Sequence, residues 1–158
     1  MQKIIICDTD KCTGCRICEY VCAAVNSNRL NPRLARIRTI RKEPVFDLAL
    51  SCRKCENPNC INVCANNAIT QDKKTGTIVI DDEKCDGCGM CVNACNFGVL
   101  TINLEGKAVY VCDFCLENDK KACIEYCPKE ALSYTTIDNL KEPRVKKFHS
   151  KLREVADS

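Results

Sequence analysis

The chain has 158 residues, a formal net charge of +3, 5% aromatic residues, no tryptophan and 17 cysteines. Its few aromatic side chains exclude a thick apolar core, and its cysteine content exceeds the roughly 8–10% at which a short chain is expected to be covalently organised. The arrangement of the thiols must therefore carry much of the information about fold and function.

The first predicted element is a short apolar strand that ends at Cys7, and the segment KCTGCRICEYVC follows it. This segment holds four cysteines at the spacing C-x2-C-x2-C-x3-C, and the same spacing returns once further along the chain. Two other groups differ from it only before their third cysteine. The four groups, called motifs 1 to 4 in chain order, are Cys12, Cys15, Cys18, Cys22; Cys52, Cys55, Cys60, Cys64; Cys85, Cys88, Cys91, Cys95; and Cys112, Cys115, Cys123, Cys127.

Three kinds of cross-link compete for these thiols. Disulfides are typical of secreted proteins, but the N-terminus has only a three-residue apolar run and the cysteine count is odd. Zinc sites favour two separated C-x2-C or Cys/His pairs, whereas the single histidine, His149, lies outside every motif. An iron–sulfur cube takes one thiolate per iron, and cysteines at every third residue deliver three from one loop. Sixteen thiols in four complete motifs therefore predict four [4Fe–4S] clusters.

Motifs 1 and 3 superpose at an offset of 73 residues, which also aligns Asp8 with Asp81 and Gly14 with Gly87. This regularity indicates an internal repeat. The same offset places the seventeenth cysteine, Cys7, at the position of an isoleucine that ends an apolar strand. We interpret Cys7 as a buried small side chain rather than a ligand, because free cysteine is among the most buried residue types.

The chain after motif 1 has no counterpart after the other motifs, so we interpret residues 26–48 as an insertion. It contains a basic stretch, Arg33 to Lys42, and a predicted strand around Ala35–Ile40. Such a strand could face an acidic partner, or it could be a solvated edge strand protected by charge. The residue types alone do not separate these interpretations.

The last cysteines of motifs 2, 3 and 4 are followed by a common pattern, C-x-x-x-[AV]-[IL]-[ST]. This pattern predicts one helical turn that enters a strand. Two hairpins are then expected across polar turns that contain glycine. They pair Ala68–Thr70 with Thr77–Ile80, and Leu100–Leu104 with Ala108–Val111.

The C-terminal run from Thr136 is polar and basic, and its apolar residues follow a helical spacing. The resulting stripe of Val145, Phe148, Leu152 and Val155 could contact a partner or pack back on its own domain. No segment approaches 18 consecutive apolar residues, so the sequence predicts no membrane span and a cytoplasmic protein.

Bound clusters would change the charge balance. Four oxidised clusters with their thiolates add about −2 each, which takes the formal +3 to about −5. A mildly acidic holoprotein does not favour nucleic-acid binding. The sequence also has no phosphate-binding glycine loop, no flavin or nicotinamide fingerprint and no nucleophile constellation, so no catalytic residue is predicted.

With sixteen cysteines in order between Ile4 and Tyr134, the chain resembles a known family. This family comprises the four-cluster iron–sulfur subunits of dimethyl sulfoxide reductase, formate dehydrogenase, carbon monoxide dehydrogenase, hydrogenase and tungsten aldehyde oxidoreductase complexes. Other members often have proline after the last cysteine of a motif, and this chain retains it only at Pro128.

The resemblance implies an α+β fold of two pseudo-symmetric bacterial-ferredoxin-like units, each with short hairpins and helices around paired clusters. In such units the fourth cysteine of one motif binds the cluster of the other. The implied ligand sets are set 1, Cys12, Cys15, Cys18 and Cys127; set 2, Cys112, Cys115, Cys123 and Cys22; set 3, Cys52, Cys55, Cys60 and Cys95; and set 4, Cys85, Cys88, Cys91 and Cys64.

The resemblance also implies a domain division. Residues 1–25 plus 105–135 would form an outer ferredoxin-like unit, and residues 49–104 an inner one. Residues 26–48 are the insertion, and residues 136–158 form a C-terminal tail that is a candidate docking helix.

The expected function is that of a non-catalytic subunit that relays single electrons between a larger oxidoreductase and a soluble carrier or a further redox subunit. The favoured catalytic partner is a tungsten- or molybdenum-pterin enzyme such as an aldehyde oxidoreductase, because the chain is short and no membrane anchor is predicted. Carbon monoxide dehydrogenase and hydrogenase remain alternative partners. The contrasting hypothesis is a freely diffusing polyferredoxin.

Overall fold

The cysteine motifs contribute short helices, and the segments that flank them form antiparallel strand pairs. The computed structural model describes residues 3–42, 46–103, 108–116 and 120–136. Its helices are Ile17–Ser27 (α1), Asn59–Asn62 (α2), Met90–Ala94 (α3) and Ala122–Glu125 (α4). Its strands are Lys3–Cys7 (β1), Arg38–Lys42 (β2), Phe46–Leu50 (β3), Ile69–Gln71 (β4), Ile78–Ile80 (β5), Thr101–Asn103 (β6), Ala108–Tyr110 (β7) and Leu132–Thr136 (β8). The predicted α+β class is confirmed at this level.

The two ends of the described chain meet in one sheet, because β1 pairs antiparallel with β8 and Ile5 lies opposite Tyr134. The strand β1 is apolar, and its residues from Ile4 to Cys7 are buried. Cys7 is only 4% exposed, so its predicted burial is confirmed. The pairing brings motif 1, which follows β1, beside motif 4, which precedes β8.

Both predicted hairpins are present. The strand β4 pairs with β5, with Ile69 opposite Ile80, and β6 pairs with β7, with Thr101 opposite Tyr110. In the β4–β5 turn the Asp72 carboxylate accepts hydrogen bonds from the N–H of Thr75 at 2.6 Å and from its hydroxyl at 2.9 Å. A short polar side chain thus holds the turn that the sequence predicted.

The predicted strand in the basic stretch begins at Arg38, later than expected, and pairs with β3. Earlier in the stretch, Pro32–Leu34 forms a short 3-10 helix whose first turn is capped by Asn31. Between them, Ala35 and Ile37 are 0% and 1% exposed, respectively, so they belong to the core instead of an edge.

Three arginines of this stretch bind partners within the chain. Arg36 pairs with Asp113, and Arg38 donates to the Thr101 hydroxyl. Arg41 donates from Nε to Oδ1 of Asp47 at 2.9 Å. These three arginines therefore make contacts within the protein. The basic stretch is not wholly available to bind an acidic partner.

The pattern after the last cysteines gives a tight turn, not a helical one. The third residue after the cysteine donates its N–H to the cysteine carbonyl at 3.1–3.2 Å in three motifs. The same residue has a positive φ of 51° at Asn67, 60° at Gly98 and 48° at Glu130. A left-handed residue cannot continue a right-handed helix, so the chain turns directly into β4, β6 or β8.

The sequence repeat reappears in the backbone. Asp8 donates its N–H to the carbonyl of Ala131 at 2.7 Å, and Asp81 donates to that of Ala68 at 2.8 Å. The carbonyls of the same two aspartates accept from Cys12 and Cys85, both at 3.0 Å. Motifs 1 and 3 therefore begin from equivalent hydrogen-bonded turns.

Helix packing joins the motifs in two pairs. The helix α1 of motif 1 packs against α4 of motif 4, and α2 of motif 2 packs against α3 of motif 3. None of the helices in the described ranges has the length and apolar character needed to cross a bilayer. The C-terminal tail, with its stripe and His149, lies outside the described residues apart from Thr136.

Candidate metal centres

All 17 cysteines lie in the described part of the chain, and none of them forms a disulfide bond. A cluster site requires four of these thiols to lie close together. The thiols of two expected sets line surface recesses. In the other two sets, the sulfurs raise one another's pKa, which indicates that they lie near each other.

Set 1 surrounds a recess of about 350 Å³, part of which is open to solvent. Three of its thiols come from the motif 1 loop, and the fourth, Cys127, comes from the end of motif 4. Thr39 of β2 and Ala49 of β3 complete part of the wall. The Cys18 sulfur lies 3.5 Å from the Thr39 hydroxyl, so the insertion supplies a polar group to this set.

Set 4 surrounds a similar recess of about 380 Å³. Its thiols Cys85, Cys88 and Cys91 come from motif 3, and Cys64 comes from motif 2. Gly89 lies beside them with a φ of +77°, and an added Cβ would lie 2.8 Å from Cδ1 of Ile102. Glycine at this position therefore allows the loop to approach the β6 strand closely.

Set 2 is the most deeply buried. Burial, together with the nearby sulfurs of Cys22 and Cys115, raises the pKa of Cys123 to about 12. Burial also raises the pKa of Cys112 well above its ordinary value, with added contributions from Cys123 and Cys22. The four sulfurs of this set, from motifs 1 and 4, therefore lie within short electrostatic range.

Set 3 shows the same relationship between motifs 2 and 3. Burial raises the pKa of Cys60 to about 11, and the sulfurs of Cys52, Cys95 and Cys55 act in the same direction. Cys95 comes from motif 3, whereas the other three belong to motif 2. The linings of two recesses and these electrostatic influences agree with the implied sets, whose assignment as cluster ligands stays a prediction.

Backbone amides point at several of these sulfurs. Cys64 accepts from the N–H of Ala68 and Cys127 accepts from that of Ala131, both at 3.3 Å and both four residues along the chain. Cys22 lies inside the longer helix α1, so its fourth following residue is helical. The N–H of Arg36 takes this place, at 3.3 Å from the Cys22 sulfur. Such donors favour a thiolate over a neutral thiol.

Exposure differs between the sets. Cys15 of set 1 and Cys88 of set 4 are exposed, whereas set 2 has three buried thiols and set 3 has two. Sets 1 and 4 are thus the open sites, and sets 2 and 3 are the enclosed ones.

Sequence reasoning missed two buried charged residues near the thiols. Glu19 is 2% exposed, and its carboxylate accepts from Nε of Arg16 and from the N–H of Thr39, both at 2.7 Å. Lys54 is 4% exposed and lies between the first two cysteines of motif 2. The sequence could have singled out Lys54, because motifs 1 and 3 have glycine at the equivalent position.

The donor chemistry fits a cube better than a single ion. No three cysteine, histidine, aspartate or glutamate side chains of the described ranges converge at single-ion spacing. Zinc would require four ligand atoms at about 2.0–2.3 Å from one point, whereas a cube places each thiolate on its own iron. Four thiols around one recess, with amides directed at the sulfurs, therefore suit a [4Fe–4S] cluster.

Comparison with known proteins agrees with this chemistry. A 4Fe-4S dicluster domain matches residues 45–137, and a 4Fe-4S binding domain matches residues 9–25. The chain belongs to the 4Fe-4S dicluster family. It is an iron–sulfur protein of electron transport, and its named relatives agree with this assignment.

Three relatives illustrate the similarity. The polyferredoxin-like subunit of an aliphatic sulfonate oxidoreductase from Pyrococcus furiosus is 38% identical over 123 residues, which cover 78% of this chain and 70% of that protein. An uncharacterised ferredoxin of Methanocaldococcus jannaschii is 35% identical, with 98% and 95% covered. The electron transport protein HydN of Escherichia coli is 36% identical, with 84% and 87% covered.

The fold also resembles a solved structure. One chain of the active site complex BamBC of benzoyl coenzyme A reductase, in complex with 1,5-dienoyl-CoA, superposes with a TM-score of 0.50 at 23% identity. The match covers 84% of this chain and 75% of that one. At this level of identity the similarity concerns the fold alone.

Proposed function

We propose that this protein carries four [4Fe–4S] clusters, held by sets 1 to 4, and relays single electrons as a non-catalytic subunit of a larger oxidoreductase. The observation that carries the proposal is the lining of the recesses at sets 1 and 4. Each combines three thiols of one motif with the last thiol of another, so a cluster bound there would tie two motifs together. A purely structural metal would not require two such sites side by side.

The clusters would supply one-electron redox chemistry, and the protein would supply their order and surroundings. Set 1 adjoins set 2 through the packing of α1 on α4, and set 3 adjoins set 4 through α2 and α3. Sets 2 and 3 both act on the buried Lys54, through Cys112 and Cys52, respectively. The order 1, 2, 3, 4 therefore places the enclosed sets in the middle and the open sets at the ends.

The open ends give electrons an entry and an exit. The exposed Cys15 and Cys88 would bring the terminal clusters close to docked partners, while the middle clusters stay shielded from water. This arrangement supports two ferredoxin-like halves, with residues 1–25 plus 105–135 as the outer unit and residues 49–104 as the inner one. The insertion 26–48 would then buttress the outer unit through Arg36 and Thr39.

The partner is proposed from the relatives. The Pyrococcus furiosus relative is named as a subunit of an aliphatic sulfonate oxidoreductase. This name supports the hypothesis that the present protein is also a subunit of an enzyme complex and not a freely diffusing carrier. We extend this to a tungsten- or molybdenum-pterin oxidoreductase, with a soluble carrier or another redox subunit at the far end. A cytoplasmic, anaerobic setting suits exposed clusters.

Metal analysis tests the cluster count. Protein prepared under argon should contain about sixteen irons and sixteen sulfides per chain. Its reduced form should give electron paramagnetic resonance spectra of interacting [4Fe–4S] clusters at low temperature. A colourless protein that contains zinc, or one with about eight irons, would contradict the proposal.

Anaerobic affinity purification from the native host tests the subunit assignment. A stoichiometric large chain that contains tungsten or molybdenum is the expected result. An isolated monomer that reduces several unrelated enzymes would instead identify a freely diffusing polyferredoxin.

A further inference from the structure

The residue before the second cysteine has the same backbone conformation in all four motifs. Its φ is 62° at Gly14, 49° at Lys54, 71° at Gly87 and 62° at Phe114. Glycine adopts this left-handed conformation freely, whereas lysine and phenylalanine are strained in it. Motifs 2 and 4 therefore keep a side chain at a position where glycine would fit the backbone better.

These two side chains meet each other inside the protein. The Lys54 Nζ lies 4.1 Å from the centroid of the Phe114 ring, and Phe114 is 0% exposed. The same Nζ donates to the carbonyl of Thr75 at 2.9 Å. The ammonium group is thus held by an aromatic face and a carbonyl oxygen, which are favourable partners for a cation.

The contact lies between sets 2 and 3. The backbone amide of Lys54 favours the thiolate of Cys52, and that of Phe114 favours the thiolate of Cys112. Burial lowers the pKa of Lys54, and the sulfurs of Cys52 and Cys112 oppose this more strongly than any other negative group. The two cysteine turns therefore face each other across the contact between Lys54 and Phe114.

A cation in this place acts on both neighbouring sets. Reduction of a [4Fe–4S] cluster adds one negative charge without requiring a proton. A positive charge nearby stabilises the reduced form, and the effect is larger when the charge is shielded from water and salt. Lys54 is 4% exposed, whereas the side chain of Lys84 beside Cys85 is 60% exposed and pairs with Asp81.

We propose that Lys54 sets the reduction potentials of the two middle clusters, in sets 2 and 3, and that Phe114 holds its ammonium group between them. This inference rests on the proposed four-cluster relay. Its consequence is that an electron resides more readily on the middle of the relay than it would without this charge, so the two halves exchange electrons through sites of raised potential.

Potentiometric titration of the holoprotein, followed by electron paramagnetic resonance, tests the role. The variant Lys54→Met keeps a side chain of similar length and removes its charge. We expect the reduction equilibrium constants of the two middle clusters to become about tenfold less favourable, which lowers each potential by about 59 mV. The terminal clusters should change less. Cys55→Ser and Cys115→Ser, which alter one middle set each, assign the signals.

Two controls separate charge from structure. Lys54→Arg keeps the charge and should retain potentials close to those of the wild type. Lys84→Met removes an exposed lysine next to motif 3 and should leave the middle potentials unchanged. A fully loaded Lys54→Met protein with unchanged middle potentials would overturn the inference.

A further variant covers the case in which Lys54→Met does not assemble. Phe114→Leu keeps an apolar side chain but removes the ring, and it should lower the same two potentials by a smaller amount. If this variant is fully loaded and its potentials are those of the wild type, the inference is also overturned. A wild-type protein with fewer than four clusters would instead refute the proposed function, and that result comes from iron analysis alone.

Discussion

The backbone N–H of Arg36 lies 3.3 Å from the sulfur of Cys22, although 14 residues separate them. In motifs 2 and 4 the equivalent donor is only four residues from its cysteine. The insertion thus restores a hydrogen bond that the extension of α1 to Ser27 would otherwise remove. The sulfur of Cys22, a member of motif 1, also raises the pKa of Cys123 and Cys112 of motif 4, which agrees with its proposed place in set 2.

The position of Cys22 leads to a prediction about shared ligands. Cys22→Ala and Cys123→Ala should perturb the same cluster, because both belong to set 2, whereas Cys18→Ala should perturb the cluster of set 1. Each variant is expected to lose roughly one to four irons per chain. Iron analysis and electron paramagnetic resonance of the reduced proteins provide the comparison. If Cys22→Ala and Cys18→Ala changed the same signals, the cross-motif assignment would be wrong.

A side chain at Gly14 should destabilise the loop of motif 1 both by backbone strain and by a clash with Asp47. This residue has a φ of +62°, and an added Cβ would overlap Oδ1 of Asp47 and lie 2.7 Å from its Cγ. Gly98 is a matched control, because its φ is +60° but no other heavy atom lies within 4 Å of an added Cβ. We expect Gly98→Ala to lower the Tm by about 2–6 °C through backbone strain alone. Gly14→Ala should lower it by roughly twice as much.

The double variant Gly14→Ala/Asp47→Ala separates the two contributions. Removal of the Asp47 carboxylate should recover part of the loss at Gly14, since residues in contact are energetically coupled. Thermal unfolding of the holoproteins under argon measures all three shifts. Equal losses in Gly14→Ala and Gly98→Ala would show that the carboxylate is displaced without cost.

Glu19 should be more important for stability than its partner Arg16. The Glu19 side chain is 2% exposed and that of Arg16 is 54% exposed. Glu19→Ala leaves the N–H of Thr39 without this charged acceptor, so we expect a loss of about 3 kcal/mol. Arg16→Ala removes the exposed partner of the pair and leaves Glu19 its hydrogen bond from Thr39, so the loss should be clearly smaller. Thermal or denaturant unfolding of the two variants provides the test, and similar losses would contradict this account.

Cys7 should behave as a core side chain that titrates only in strong alkali. Burial raises its pKa from 9.0 to about 12. Because the folded-state pKa lies above the unfolded one, the associated stabilisation is complete below about pH 9 and is lost as the pH rises toward 12. The native protein should therefore resist alkylation of Cys7 by iodoacetamide at pH 8, and the unfolded protein should not. Mass spectrometry of the peptide that contains Cys7 measures this difference.

The variant Cys7→Val provides the matched comparison. It should retain the iron content of the wild type, since Cys7 belongs to none of the four sets. Its Tm should fall less between pH 8 and pH 10.5, because valine does not titrate. Loss of a cluster in Cys7→Val would show that this thiol is a ligand.

Local features were predictable from the sequence because they depend on residues that are close along the chain. The pattern after the last cysteines and the polar turns that contain glycine indicated both hairpins, and the repeat at 73 residues indicated the equivalent turns at Asp8 and Asp81. The helical turn expected after the cysteines was wrong, because a left-handed residue such as Glu130 ends it at once. Iron–sulfur chemistry was predictable from cysteine spacing alone, and the family match agrees with it.

The sequence by itself determined which thiols are available and how each loop turns, since three cysteines in one short segment can reach one site without help from the rest of the chain. Only the tertiary structure decided that Cys127 lies beside Cys12, that Arg36 donates to Cys22, and that Lys54 is buried against Phe114. Each of these contacts joins distant segments. Their formation depends on how helices and strand pairs pack over the whole domain, and no local spacing specifies that packing.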